Sequence, residues 1–75
     1  MMSLSDRHFL RMVGERIRKR REALGWTQVQ LGEKCELHRT FIGSVERGER
    51  NISVLNLRVI SKALRLGLGG LLDDA

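Results

Sequence analysis

Residues 27 to 50, TQVQLGEKCELHRTFIGSVERGER, constrain the chain most, because apolar residues recur there at helical spacing on both sides of a break around Glu36 and Leu37. The pattern predicts two short helices joined by a tight turn. On a wheel of about 100° per residue, the second helix puts Phe41, Ile42 and Val45 on one side. Arg39, Thr40, Gly43, Ser44 and Arg47 fall opposite. One side suits a core and the other a partner.

The polar side has the chemistry that reads DNA. Arginine offers a planar donor fork for guanine O6 and N7, Thr and Ser supply short hydroxyls, and a second Arg can take a phosphate. Gly43 lets such a helix come close to a groove, although a mid-helix glycine costs about 1 kcal/mol relative to alanine. The plain alternative is a solvated amphipathic helix, since polar outer faces are common.

The whole chain bears on that choice. With 75 residues it makes one small domain, which buries only about 60% of its unfolded surface and leaves little room for an enclosed active site. Fourteen Lys and Arg against nine Asp and Glu give a net charge of +5, so an anionic partner is favoured: DNA, RNA or an anionic membrane. The single cysteine, Cys35, cannot form an internal disulfide and lies on the apolar side of its helix, as a small buried thiol would; a redox sensor is the alternative. No apolar run approaches the ~20 residues that span a bilayer, and the first residues lack a secretory pattern, so a cytoplasmic, nucleoid-associated protein without a membrane partner is expected.

No proline and eight glycines point to helices punctuated by glycine turns, hence an all-α domain, residues 1–75, of five short helices. The first begins near Ser5 or after Gly14, which interrupts it, and runs to Leu24. Leu10, Val13, Ile17 and Leu24 form its broken inward stripe, Gly25 stops it, and Trp26 packs in the junction. Its basic run, Arg16, Arg18, Lys19, Arg20 and Arg21, is spread around the helix between Glu15 and Glu22 and reads as a mostly solvated face. Thr27 and Gln30 have capping-box spacing for the second helix, Leu31 and Cys35 face inward, and Gly32 sits where two crossing helices tolerate almost no side chain. Gln28 is placed to lie beside a phosphate or simply in solvent.

Thr27, Gln28, Leu31, Gly32, Leu37, Ile42, Val45, Glu46, Arg47 and Gly48 together resemble the lambda-repressor-like helix-turn-helix of the Xre family of regulators. HRTFIGSVERGERNIS, residues 38 to 53, is similar to a narrower group, the controller proteins of restriction-modification systems, and the resemblance runs from about Gly14 to Leu72. It implies that the third helix enters the major groove with Arg39, Thr40 and Ser44 reading base edges, while Gln28, Arg47, Arg50 and Asn51 touch the backbone or nearby groove atoms. It also implies a buried ion pair between Arg21 and Glu46 that orients the third helix. The chain departs from the family pattern at four places. Glu36 takes a turn position usually held by glycine, Phe41 replaces a frequent tyrosine, His38 is a poor intrinsic cap, and Arg20 replaces an apolar residue and must snorkel.

The fourth helix, starting at Ser53, carries Leu57, Ile60 and Leu64 on one flank and Leu55, Val59 and Leu66 on another. That apolar arc of about 200° is twice what one core needs. A second copy would cover the excess, joined by Leu68, Leu71 and Leu72 of the tail, and the resemblance likewise implies dimerisation through about residues 53–72. Alternatively the tail folds back over the second flank. Catalysis, a metal and a cofactor find no support: His8 and His38 lack partner ligands at metal spacing, Cys35 lacks a base, and GLGGLL is too apolar for a phosphate loop.

The expected function is that of a homodimeric transcription regulator binding double-stranded, pseudo-palindromic operators; the resemblance implies a restriction-modification controller acting on its own and the endonuclease gene, for which activation would require RNA polymerase as a partner. A phage-type repressor, an antitoxin-associated regulator or a protein-binding module on the same fold are the rivals.

Overall fold

The computed structural model describes residues 2–73. Among them lie five α-helices in chain order: α1 (Leu4–Ala23), α2 (Gln28–Cys35), α3 (Arg39–Glu46), α4 (Val54–Ala63) and α5 (Leu68–Leu72). Among the described residues no helix is long and apolar enough to cross a membrane.

Helix α1 is continuous through Gly14, which corrects the expected interruption. Its start is fixed by a capping box: the Ser3 hydroxyl accepts from Asp6 N at 3.1 Å and the Asp6 carboxylate accepts from Ser3 N at 3.2 Å. The glycine serves packing, because a Cβ there would lie 2.4 Å from the Val45 carbonyl oxygen and 2.5 Å from that of Glu46. The end of α3 thus touches the α1 backbone directly.

Thr27 and Gln30 form the expected reciprocal cap of α2, at 3.1 and 2.8 Å. At the turn into α3, Glu36 is left-handed (φ 56°, ψ 38°), a conformation that costs about 1 to 2 kcal/mol for a residue with a Cβ. Gly32 lies so near this turn that a Cβ would be 2.5 Å from the Leu37 oxygen. His38 does cap α3, its Nδ1 accepting from Thr40 N at 3.0 Å.

Val13, Ile17, Leu31, Ile42, Val45, Leu57, Ile60, Leu64 and Leu71 form the buried core with Cys35. Each large aliphatic among them contributes roughly 1.5–3 kcal/mol by leaving water. Burial also pushes the Cys35 thiol above its ordinary pKa, as suits an inert packed thiol.

Part of the basic run on α1 is structural. The Arg20 Nε donates to the Leu64 oxygen at 2.9 Å, satisfying a carbonyl at the end of α4. The Arg16 guanidinium donates to the Leu71 oxygen at 3.3 Å and also reaches the Asp73 oxygen, so it closes α5. Arg18 pairs with Glu15 and Glu22 on the same surface.

The tail needs a correction. Leu71 is fully buried because α5 packs back against α1 and α4, so it belongs to the core of one chain and is unavailable to a second. Leu66, Leu68 and Leu72 are half-buried against that core. The fold-back does not reach the other flank of α4, where Val54, Leu55 and Val59 remain 73%, 72% and 40% exposed.

Candidate nucleic-acid interface

Helix α3 lies against α1 and α2. Its apolar side, Ile42 and Val45, is buried, and its N-terminal end presents Arg39 and Thr40 to solvent. Both were expected on the polar face. The cap by His38 fixes the backbone of Thr40 while leaving its side chain outward.

Behind this surface runs a buried polar chain. The Arg21 Nε and Nη2 donate to the two Glu46 carboxylate oxygens at 2.7 and 3.0 Å, and Nη1 donates to the Trp26 carbonyl at 2.8 Å. Gln28 Nε2 donates to Glu46 Oε1 at 3.0 Å. The expected Arg21 and Glu46 pair is therefore present, bidentate and only 9% and 6% exposed. Glu46 holds the Arg21 guanidinium above its already high ordinary pKa. Such a pair adds less to stability than its contact suggests, because desolvation offsets the attraction; it fixes the angle of α3 against α1 and α2. Trp26 stays half-buried at this junction, with the Lys34 ammonium 4.4 Å above its ring.

Three expected contacts are placed differently. Gln28 is half-buried and engaged with Glu46, so its amide is oriented by the network instead of hanging in solvent. Gly43 is buried beneath Gln28 and Arg47: a Cβ there would lie 3.1 Å from Arg47 Nη1 and 3.3 Å from Gln28 Oε1, so its missing side chain makes room for these two flexible side chains. Ser44 is also buried: its hydroxyl donates to the Phe41 carbonyl at 2.7 Å and accepts from Arg50 Nε at 3.0 Å. That corrects its placement on the open polar face. The wheel missed this because a short side chain on a helix flank is covered by whatever follows the helix, here the loop carrying Arg50.

Arg47 and Arg50 are exposed, at the far end of α3 and just beyond it, and so is Asn51. Arg47 pairs with Glu49 at 3.0 Å, which draws the Glu49 carboxyl below its ordinary pKa and the guanidinium up. The Arg50 guanidinium lies 4.9 Å above the Phe41 ring. These two partnerships were not read from the sequence. The spacing of Phe41 and Ser44, one helical turn apart, was visible, but where the next loop would bring Arg50 was not.

A tight two-helix motif whose second helix projects Arg and Thr from a capped N-terminus, inside an all-helical frame, defines a helix-turn-helix DNA-binding transcription regulator. Residues 17–71 match the helix-turn-helix family HTH_3, and the chain belongs to that family, one of regulators and not of enzymes. It is similar to restriction-modification control proteins: 41% identical over 63 residues to the control protein C.BamHI of Bacillus amyloliquefaciens, covering 83% of this chain and 78% of that one. It is also 43% identical over 61 residues to the control protein C.SmaI of Serratia marcescens, covering 81% and 73%. Its fold superposes on the crystal structure of the controller protein C.AhdI from Aeromonas hydrophila with a TM-score of 0.80 at 37% identity, over 83% of this chain and 94% of that one.

Proposed function

We propose that this protein is a restriction-modification controller that binds pseudo-palindromic operators as a homodimer and regulates its own gene and that of the endonuclease. The observation that carries the reading is the exposed Arg39 and Thr40 at the head of α3, backed by the buried Arg21, Glu46 and Gln28 network, in a chain similar to control proteins over most of its length. Arg39 and Thr40 read base edges in the major groove. Gln28, Arg47, Arg50 and Asn51 hold the backbone or nearby groove atoms and so fix register. Ser44 acts behind this surface.

The second copy docks on the uncovered flank of α4, with Leu55 and Val59 central and Leu66, Leu68 and Leu72 at the edge. Two-fold pairing sets the recognition helices about one DNA turn apart, which requires half-sites with that spacing. Activation of the endonuclease gene further requires a contact with RNA polymerase. The protein acts where chromosomal DNA is, in the cytoplasm at the nucleoid.

A footprint on DNA immediately upstream of the protein's own gene, across a range of protein concentrations at near-physiological salt, tests the reading. Two symmetry-related protected half-sites, with a second operator filling as protein rises, are expected. Diffuse coverage that vanishes with modest salt would refute it.

A further inference from the structure

We propose that Phe41 and Ser44 clamp the Arg50 guanidinium into a pre-aimed donor fork, making Arg50 a determinant of DNA sequence choice and Ser44 its positioning residue. The inference rests on the DNA-binding reading and deepens it.

Three contacts make the clamp. Ser44 Oγ donates to the Phe41 carbonyl one turn back, so its proton is committed and its lone pairs are left to accept. One of them accepts Arg50 Nε at 3.0 Å. The Phe41 ring then lies under the guanidinium at 4.9 Å and fixes its plane. An arginine has five N–H donors. With Nε held by the serine, the terminal nitrogens of this exposed residue carry the remaining four donors. A free arginine follows whichever phosphate is near, at little expense in specificity. A clamped one presents its fork at a set distance from Arg39 and Thr40, and pairs well only where DNA places two acceptors at that distance. Groove width and base identity decide where such acceptors lie. Arginine suits this role because its planar fork loses little freedom on binding, whereas a lysine would act as a point charge.

The test is a double-mutant cycle on a duplex that the protein itself selects from a random pool, with a scrambled duplex of equal length beside it. Ser44→Ala is expected to weaken binding to the selected duplex by about five- to tenfold, while binding to the scrambled one changes less than about twofold. In an Arg50→Ala background, Ser44→Ala should have no further effect. Phe41→Leu, which keeps apolar bulk without a ring, should behave in the same way, and Arg50→Lys should lose discrimination while retaining the salt dependence. Equal weakening on both duplexes, or the same loss from Ser44→Ala with and without Arg50, would overturn the clamp. If Arg39→Ala relaxes sequence choice but Ser44 and Arg50 show no coupling, the clamp alone fails. A protein that selects no sequence removes the DNA-reading function and the clamp with it.

Discussion

Replacing Gly14 by alanine sets two effects of opposite sign against each other. Alanine is the better helix former by about 0.8–1.0 kcal/mol, so at an exposed position in α1 it would stabilise the protein. Here the new Cβ would lie 2.4 Å from the Val45 oxygen, 2.5 Å from the Glu46 oxygen and 2.8 Å from the Glu46 carbonyl carbon. All three are backbone atoms, so no rotamer change relieves the overlap, and α1 and α3 must separate by roughly 1 Å. A gap of that size forfeits about a quarter to a half of the dispersion energy across it, here between Val13 and Ile17 on α1 and Ile42 and Val45 on α3. Overpacking typically costs 1–3 kcal/mol, and three unyielding backbone atoms within 3 Å put this site in the upper half of that range, about 2–3 kcal/mol. Set against the helix term, the net loss is about 1–2 kcal/mol, which lowers Tm by roughly 5–15 °C in a domain of this size. A thermal melt followed by circular dichroism reads it. Gly69→Ala is the internal control, because nothing lies within 4 Å of a Cβ there and the helix term acts alone. A Tm for Gly14→Ala equal to or above wild type would refute the reasoning.

Arg21→Met leaves Glu46 buried without its partner and should destabilise by about 3–5 kcal/mol, whereas adding Glu46→Leu should recover most of the loss; urea unfolding of the two variants decides. Leu55→Glu should abolish the proposed dimer in sedimentation without lowering the stability of the single chain, and dimerisation unchanged by it would remove that flank from the interface. Arg39→Ala should weaken operator binding by about 1–3 kcal/mol and relax choice at one base position; a uniform loss on every sequence would place Arg39 on a phosphate. Burial raises the Cys35 pKa, so above the ordinary thiol value of about 8.5 the unfolded chain ionises first and stability falls as pH rises. Urea midpoints from pH 7 to 10 should drop for the wild type more than for Cys35→Ala, and the native thiol should resist alkylation.

The elements that local chemistry determines were legible from the residues. Thr27 with Gln30 announced the start of α2, and the spacing of Leu57, Ile60 and Leu64 announced the buried side of α4. What escaped depended on distant chain. Gly14 looks like a helix breaker until the carbonyls at the end of α3 are seen against it. Leu71 looks like a loose apolar residue until α5 folds back, and Arg20 looks solvated until the end of α4 supplies its acceptor. On the candidate interface, Arg39 and Thr40 were placed correctly in the open because they head the helix, where nothing covers them. Ser44 was not, because the wheel describes one helix and Arg50 arrives from the loop that follows.

The close seats at Gly14 and Gly32 mean that main chain, and not side-chain bulk, sets the distances from α3 to α1 and from the turn to α2. Side chains at the head of α3 take no part in that seating. Arg39 and Thr40 can therefore be exchanged for other residues without tilting or lifting the helix, so under the proposed function the frame works as a fixed mount for an interchangeable reading head. Retargeting such a protein to a new operator becomes a problem of a few surface substitutions, and two regulators built on the same mount can diverge in the sites they occupy within one cell.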